Sequence, residues 1–240
     1  PERPFDYQKA LNEMVHRYIA SGLGLLIIAM AFVSLWNRRD PAQPRVLPWV
    51  LLGVVIGQGL LGMLTVTLLL KPLIVTLHLL GGLTTLSLLW WLSLSPERRE
   101  IKAAERRVRR FAVLAMAAVA AQVALGGWTS TNYAAAACSD FPRCQDSWWP
   151  QMDFDDAFVL WRGLGIDYEG GVLDAPARVA IHYTHRLGAY VVAALLVALA
   201  LAAWYRARTW PLRLAAAGVL AALAAQLLIG MNLIWQGWPL

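Results

Sequence analysis

The sequence predicts an all-α fold, a polytopic membrane helical bundle, and three observations predict it. Six apolar stretches are long enough to cross a bilayer, where about 20 residues cover ~30 Å of hydrocarbon. Basic residues gather in alternate connecting segments. Tryptophans fall near the ends of the stretches. Composition agrees: the 240 residues are 59% hydrophobic and 15% charged, with a mean hydropathy of +0.52. Soluble domains are about 45–50% apolar, and a chain this apolar is no candidate for disorder.

The first span runs from about Ala10 to Trp36, the second from about Leu47 to Leu70 and the third from about Pro72 to Leu94. The fourth covers about Phe111 to Trp128, the fifth about Ala177 to Trp204 and the sixth about Leu212 to Trp235. Gly and Ala are dense in the last three, which suits close helix packing in lipid. Segment 37–48 carries Arg38, Arg39 and Arg45. Segment 96–110 carries Arg98, Arg99, Lys102, Arg106, Arg107, Arg109 and Arg110, and segment 205–213 carries Arg206, Arg208 and Arg213. These hold 13 of the 21 basic residues, so they are read as cytoplasmic. Segment 129–176 is the opposite, with Asp140, Asp146, Asp153, Asp155, Asp156, Asp167, Glu169 and Asp174 against Arg143 and Arg162 alone. It is read as an outer, periplasmic loop, with both chain ends on the same side. Trp36, Trp49, Trp90, Trp91, Trp204 and Trp210 then mark the inner interface. Trp128, Trp148, Trp149, Trp161, Trp235 and Trp238 mark the outer one. The net charge of +6 is thus a topology signal and marks no nucleic-acid surface.

An internal repeat relates the two parts of the chain. His16-Arg17 in the first span matches His185-Arg186 in the fifth, 169 residues on. Gln58-Gly59-Leu60-Leu61-Gly62-Met63 in the second matches Gln226-Leu227-Leu228-Ile229-Gly230-Met231 in the sixth, at an offset of 168. Such duplication is common in membrane folds. It divides the chain into a first-half bundle, residues 1–110, and a second-half bundle, residues 111–240. The repeat partner of His78 falls just past Leu240, and the fourth span has no counterpart in the first half. The sequence opens on proline with no initiator methionine. The expectation is a fragment holding spans two to seven of an eight-span protein built as two four-helix halves.

All four histidines, His16, His78, His182 and His185, lie in the outer parts of spans. Ionisable side chains in lipid are costly and usually functional. Imidazoles presented from neighbouring helices can ligate a haem iron axially, and each ligating ring asks for an acceptor at its other nitrogen. His16, His78 and His185, at similar depth on helices of one direction, are the candidate iron ligands. The alternative is that each only hydrogen-bonds between helices. His182 shares a helix face with His185 and can line the same pocket. Glu13 stands one turn before His16, at the repeat position of His182, so the halves differ there by a carboxylate against an imidazole. It is a candidate for proton transfer, against the reading of a helix-dipole acid. Arg17 and Arg186 can each bind a haem propionate or snorkel to the interface. Cys138 and Cys144 suit a structural disulfide in an oxidising compartment, and they do not form the Cys-x-x-Cys-His signature of covalent haem attachment.

Glu13-Met14-Val15-His16-Arg17, Thr76-Leu77-His78-Leu79-Leu80-Gly81-Gly82, Gly126-Gly127-Trp128 leading to the cysteine pair, and His182-Tyr183-Thr184-His185-Arg186-Leu187-Gly188-Ala189 together resemble the haem A synthase family. The resemblance runs over essentially the whole chain in order. It implies an eight-helix membrane oxidoreductase of two pseudo-symmetric halves, acting in the bacterial inner membrane with its haem sites toward the periplasm. That enzyme oxidises a methyl group of haem O to the formyl group of haem A by successive hydroxylation, for use by cytochrome oxidase. It implies His16 and His78 as axial ligands of the substrate haem and Glu13 as the functional glutamate. His185 would be one ligand of a haem b cofactor whose partner ligand lies past Leu240, and Cys138 and Cys144 would be the outer-loop pair. Implied partners are haem O, membrane lipid, an electron acceptor, and haem O synthase or cytochrome oxidase assembly factors. The rival readings are a diheme b-type cytochrome that only carries electrons, a haem-transfer partner in oxidase assembly, and a transporter without cofactor. A carboxylate beside one haem only speaks against the first of these.

Overall fold

The computed structural model describes residues 6–40, 43–94, 103–206 and 210–236, apart from the side chains of 103–105 and 107. Seven helices appear in them: α1 (Tyr7–Trp36), α2 (Leu47–Thr67), α3 (Pro72–Ser93), α4 (Ala103–Thr131), α5 (Phe154–Ala157), α6 (Ala175–Arg206) and α7 (Trp210–Gln236). There is no strand among the described residues, only a bridge between Cys144 and Ser147. All but α5 are long and apolar enough to cross a membrane. Between 6% and 17% of each apolar window is buried within the chain. Helices that present Leu, Ile and Val outward over their whole length need lipid as solvent, so this is a polytopic helical membrane protein.

The helix bounds correct the sequence reading in three places. The second span was expected to reach Leu70 and stops at Thr67. Leu69 and Leu70 adopt left-handed backbone (φ 51° and 58°), which ends the helix before Pro72 opens the next at its favoured first position. The fourth span was expected over 111–128 and extends over Ala103–Thr131. Arg106, Arg109 and Arg110 therefore stand on a helix and not in a loop; Arg and Ala are strong helix formers. Helices α6 and α7 likewise reach to Arg206 and from Trp210. Outer loop 129–176 shortens to 132–174 and contains α5, whose N-cap Asp153 accepts from the N–H of Asp156 at 3.1 Å. Arg98, Arg99, Lys102, Arg208 and Trp238 lie outside the described residues, as does the Arg107 side chain.

Two compact units organise the packing, Pro1–Leu60 with Gly81–Pro96, and Leu61–Leu80 with Glu97–Leu240. In the first, α1 begins at Asp6, whose carboxylate accepts from the N–H groups of Gln8 and Lys9 at 3.0 and 3.1 Å, a standard N-cap. Ile27, Ala31, Ser34, Pro48 and Leu51 are its most buried side chains. Phe32 meets Trp49 edge to face with centroids 6.4 Å apart.

In the second unit α6 packs against α4, α5 and α7. Its outer end carries the main core: Trp128, Ala134, Ala157, Leu173, Ala177, Ala180 and Ile181. Trp128 was expected at the lipid interface and is instead 7% exposed. Its indole N–H donates to the Ala157 carbonyl at 2.9 Å, so the outer loop folds down over the ring. A second cluster joins the Cys138–Cys144 disulfide to Val179, and a third, of Ala200, Ala203 and Ala216, closes α6 against α7.

Candidate functional site

His185 sits half-buried on α6, facing α4. The Gln122 amide nitrogen lies 3.0 Å from His185 Nδ1 and donates to the His185 main-chain carbonyl at 2.8 Å. One turn further along α4, Gly126 lies beside the ring; a Cβ there would stand 3.2 Å from His185 Cε1. Nε2 is the ring nitrogen that Gln122 does not contact. The Gln122 Oε1 atom is buried and has no hydrogen-bond partner. Beside it, Gly127 faces Thr76 and Leu79, the residues that flank His78 on α3. Helix α4 thus touches both histidine-bearing helices of this unit through two adjacent glycines.

His78 is half-buried, and its ring lies over Gly62 of α2, where a Cβ would stand 3.3 Å from Cε1. In the other unit, Gln58 of α2 occupies the space above Gly81 of α3 that a Cβ would need.

His16 is exposed on the surface of α1. Glu13 and Arg17 on the same helix form an ion pair, Oε1 to Nη2 2.5 Å. Their side chains are 51% and 56% exposed.

His182 and Arg186 form a buried group under the outer loop. His182 is 5% and Arg186 8% exposed. His182 Nδ1 lies 2.9 Å from the Ala134 carbonyl, which makes Nδ1 the protonated nitrogen. Its Nε2 is 3.4 Å from Arg186 Nη2. Arg186 donates to three loop carbonyls, Asp140 at 3.0 Å, Arg143 at 2.7 Å and Cys138 at 3.2 Å. Its guanidinium also lies over the Phe141 ring, 5.7 Å from the centroid. Cys138 and Cys144 are joined by a disulfide and fully buried. The structure therefore brings the second-half Arg, one histidine and the cysteine pair into one assembly that holds the outer loop to α6.

Among the described residues no three His, Cys, Asp or Glu side chains gather as a bare-metal site. Axial ligation of a porphyrin iron needs only one or two imidazoles, which is the donor set offered here. Gln122 is absent from the histidine reading of the sequence. Its signal is a spacing, Gln-x3-Gly, found at 58/62, 122/126 and 226/230, each within an apolar span.

Residues 4–240 match the family model described as cytochrome oxidase assembly protein, COX15-CtaA. A protein of Shewanella oneidensis named heme A synthase is 41% identical over 203 residues, which is 83% of this chain and 61% of that protein. A protein of Rhizorhabdus wittichii with the same name is 26% identical over 235 residues, 92% of this chain and 64% of that protein. The chain spans less than two thirds of the length of either relative. With the family match running over almost all of its residues, the chain belongs to the COX15-CtaA family of cytochrome oxidase assembly proteins.

Proposed function

We propose that the protein carrying this chain is a haem A synthase, a membrane oxidoreductase that converts a methyl group of haem O to a formyl group. The observation that carries the proposal is the 41% identity with a heme A synthase over 83% of the chain. In this reading residues 1–110 hold the substrate and residues 111–240 hold a haem b cofactor. The enzyme lies in a bacterial inner membrane with both sites toward the periplasm, an orientation supported by the basic alternate segments. Haem O synthase and cytochrome oxidase assembly factors are its partners.

His16 and His78 are proposed to bind and orient the substrate haem O through its iron. His185 is proposed to ligate haem b. The fit is supported by the contact of the Gln122 amide with Nδ1 and by the unpartnered buried oxygen of that same amide. When bound, haem b supplies one-electron redox chemistry. Glu13 is proposed to move protons at the substrate methyl. It lies one turn before His16 and pairs with Arg17 through one of its two oxygens. Arg17 is also placed to meet a propionate. Arg186 already gives its Nη1 and Nη2 hydrogens to loop carbonyls, so its proposed role is to hold the loop, with His182 beside it.

The test is expression with a haem O source, extraction of haem from the purified protein, and chromatographic separation. Haem A or a hydroxylated haem O beside haem b is the expected result. Haem b alone, with haem O demonstrably present in the cells, would assign the protein to electron carriers. Glu13→Ala should retain haem and abolish its oxidation; an unchanged haem A yield would remove Glu13 from the chemistry.

A further inference from the structure

We propose that Gln122 is the positioning residue of His185, through a Gln-x3-Gly segment of α4 set against a His-x2-Gly segment of α6. The inference rests on the reading of His185 as a haem ligand.

Three features of α4 and α6 carry it. Gln122 reaches the ring and the backbone of the same residue, Nδ1 at 3.0 Å and the carbonyl at 2.8 Å. A side chain that grips both atoms fixes the ring's rotation about its own helix. Gly188, one turn after His185, gives the amide its place: a Cβ there would overlap Gln122 Oε1 and stand 3.4 Å from Cδ. Gly126, one turn after Gln122, lets the ring lie against the α4 backbone. Two glycines and one amide therefore define the imidazole's position.

The unpartnered oxygen gives the device a chemical sense. A ring whose Nε2 binds iron carries its proton on Nδ1, and ligating histidines almost always donate that N–H to an acceptor. Gln122 Oε1 is a buried acceptor with no donor, on the amide whose nitrogen faces Nδ1. The two ends of an amide are alike in outline. Rotation of the amide brings Oε1 onto Nδ1–H and gives up the Gln122 Nε2–H bond to the His185 carbonyl, so Gln122 then holds a ligating ring by its Nδ1–H alone.

The same residue types recur at the same spacing on α2 and α3. Gly62 lies beside the His78 ring as Gly126 lies beside His185, and the Gln58 amide fills the space over Gly81 as Gln122 fills that over Gly188. Each contact lies within one unit. A glutamine that merely joined two spans by a hydrogen bond would not require glycines matched at both ends, as Gly126 and Gly188 are on α4 and α6.

The test uses the haem-loaded protein purified from cells, with His185→Ala, Gln122→Met, Gln122→Glu and Gly188→Ala. Readouts are haem b per polypeptide, the midpoint potential and the ferric electron-paramagnetic-resonance signal. His185→Ala should lose the haem. Gln122→Met keeps the volume and deletes the acceptor, so haem retention should weaken roughly tenfold to a hundredfold. Gln122→Glu should retain haem with a lowered midpoint potential, because a carboxylate draws the Nδ1 proton and makes the ring a stronger donor to ferric iron. Gly188→Ala, by displacing the amide, should move retention as Gln122→Met does. If His185→Ala loses haem while both Gln122 variants keep wild-type retention, potential and signal, Gln122 is packing and the proposal is overturned. If His185→Ala keeps its haem, the ligand reading itself fails. Gln122→Glu keeps the test decisive should Gln122→Met not fold.

Discussion

The chain contains two His-Arg pairs at one repeat offset, and they live in opposite surroundings. Arg17 of α1 is 56% exposed and pairs with Glu13 four residues back on its own helix. Arg186 of α6 is 8% exposed and donates to carbonyls that lie 43 to 48 residues away in sequence. The position three residues before each histidine differs in step: Glu13 supplies a carboxylate on a surface, and His182 supplies a buried ring that holds the Ala134 carbonyl. A guanidinium has five donors and no acceptor. Where a loop turns its carbonyls inward they must find donors, and Arg186 answers three of them at once. On the exposed face of α1 the same side chain pairs locally with Glu13. The dipeptide therefore does not set the role; the backbone that folds over it does.

Removing each arginine should sharpen that contrast most. Arg186→Met leaves three loop carbonyls short of a donor and is expected to destabilise the outer loop by about 2–4 kcal/mol, since an unsatisfied buried polar group costs about 1–3 kcal/mol. Arg17→Met breaks an exposed pair and should change stability by less than about 1 kcal/mol. Thermal midpoints in detergent, together with protease cleavage within 132–174, measure both. Equal losses from the two variants would mean that the loop does not depend on Arg186.

The disulfide comes next. It closes a short ring over a sequence separation of 6, and opening so short a loop is worth about 2 kcal/mol by chain entropy. Cys138→Ser with Cys144→Ser should therefore lower the midpoint of the second unit by less than Arg186→Met does. Because Arg186 bonds the Cys138 carbonyl, the two changes share a structure and should be non-additive in a double-mutant cycle. Strict additivity would show that ring and anchor act separately.

How legible this was in the sequence follows from range. The six spans were plain, because length and hydropathy are local. The end of α2 was not, because an apolar run through Leu68, Leu69 and Leu70 hides a left-handed turn. The start of α4 was not, because a charged turn of good helix formers reads as a loop. The cysteine pair was legible from spacing and compartment. The anchoring by Arg186 was not, since its partners are main-chain carbonyls, which leave no mark on side-chain identity. Gln122 was hidden in the same way: its meaning lies in a contact 63 residues away. Trp128 shows the limit of pattern alone. A tryptophan at a span end is normally an interface anchor, and only the outer loop lying above it makes it core. Trp128→Phe, which keeps an aromatic ring but removes the pyrrole portion and its donor to Ala157, should cost about 2–3 kcal/mol from the lost hydrogen bond and the lost core volume together. The same exchange at exposed Trp36, 90% exposed, should leave the thermal midpoint unmoved.

The smallest effect separates the anchored region from the exposed one by pH. Asp140 accepts from the N–H groups of Gln145 at 2.7 Å and Asp146 at 3.0 Å. Both of those residues have left-handed backbone, φ 54° and 59°, so their N–H groups converge on one carboxylate as in an anion-binding nest. Desolvation works to raise the Asp140 carboxyl. The N–H groups of Asp146 and Gln145 and the charge of Arg186 outweigh it and hold the group below its ordinary value of 3.8. A carboxyl with a depressed folded-state pKa stabilises the fold above its unfolded value, and that contribution is lost as pH falls through the folded value. Amide exchange at Gln145 and Asp146, compared at equal intrinsic rate, should therefore be flat from neutral pH to about 4 and lose protection below it. Asp140→Asn should remove the acid dependence and lower protection at neutral pH, because an amide offers one acceptor where the carboxylate offers two. Persistence of the same acid transition in Asp140→Asn would assign it to another carboxylate of the outer loop.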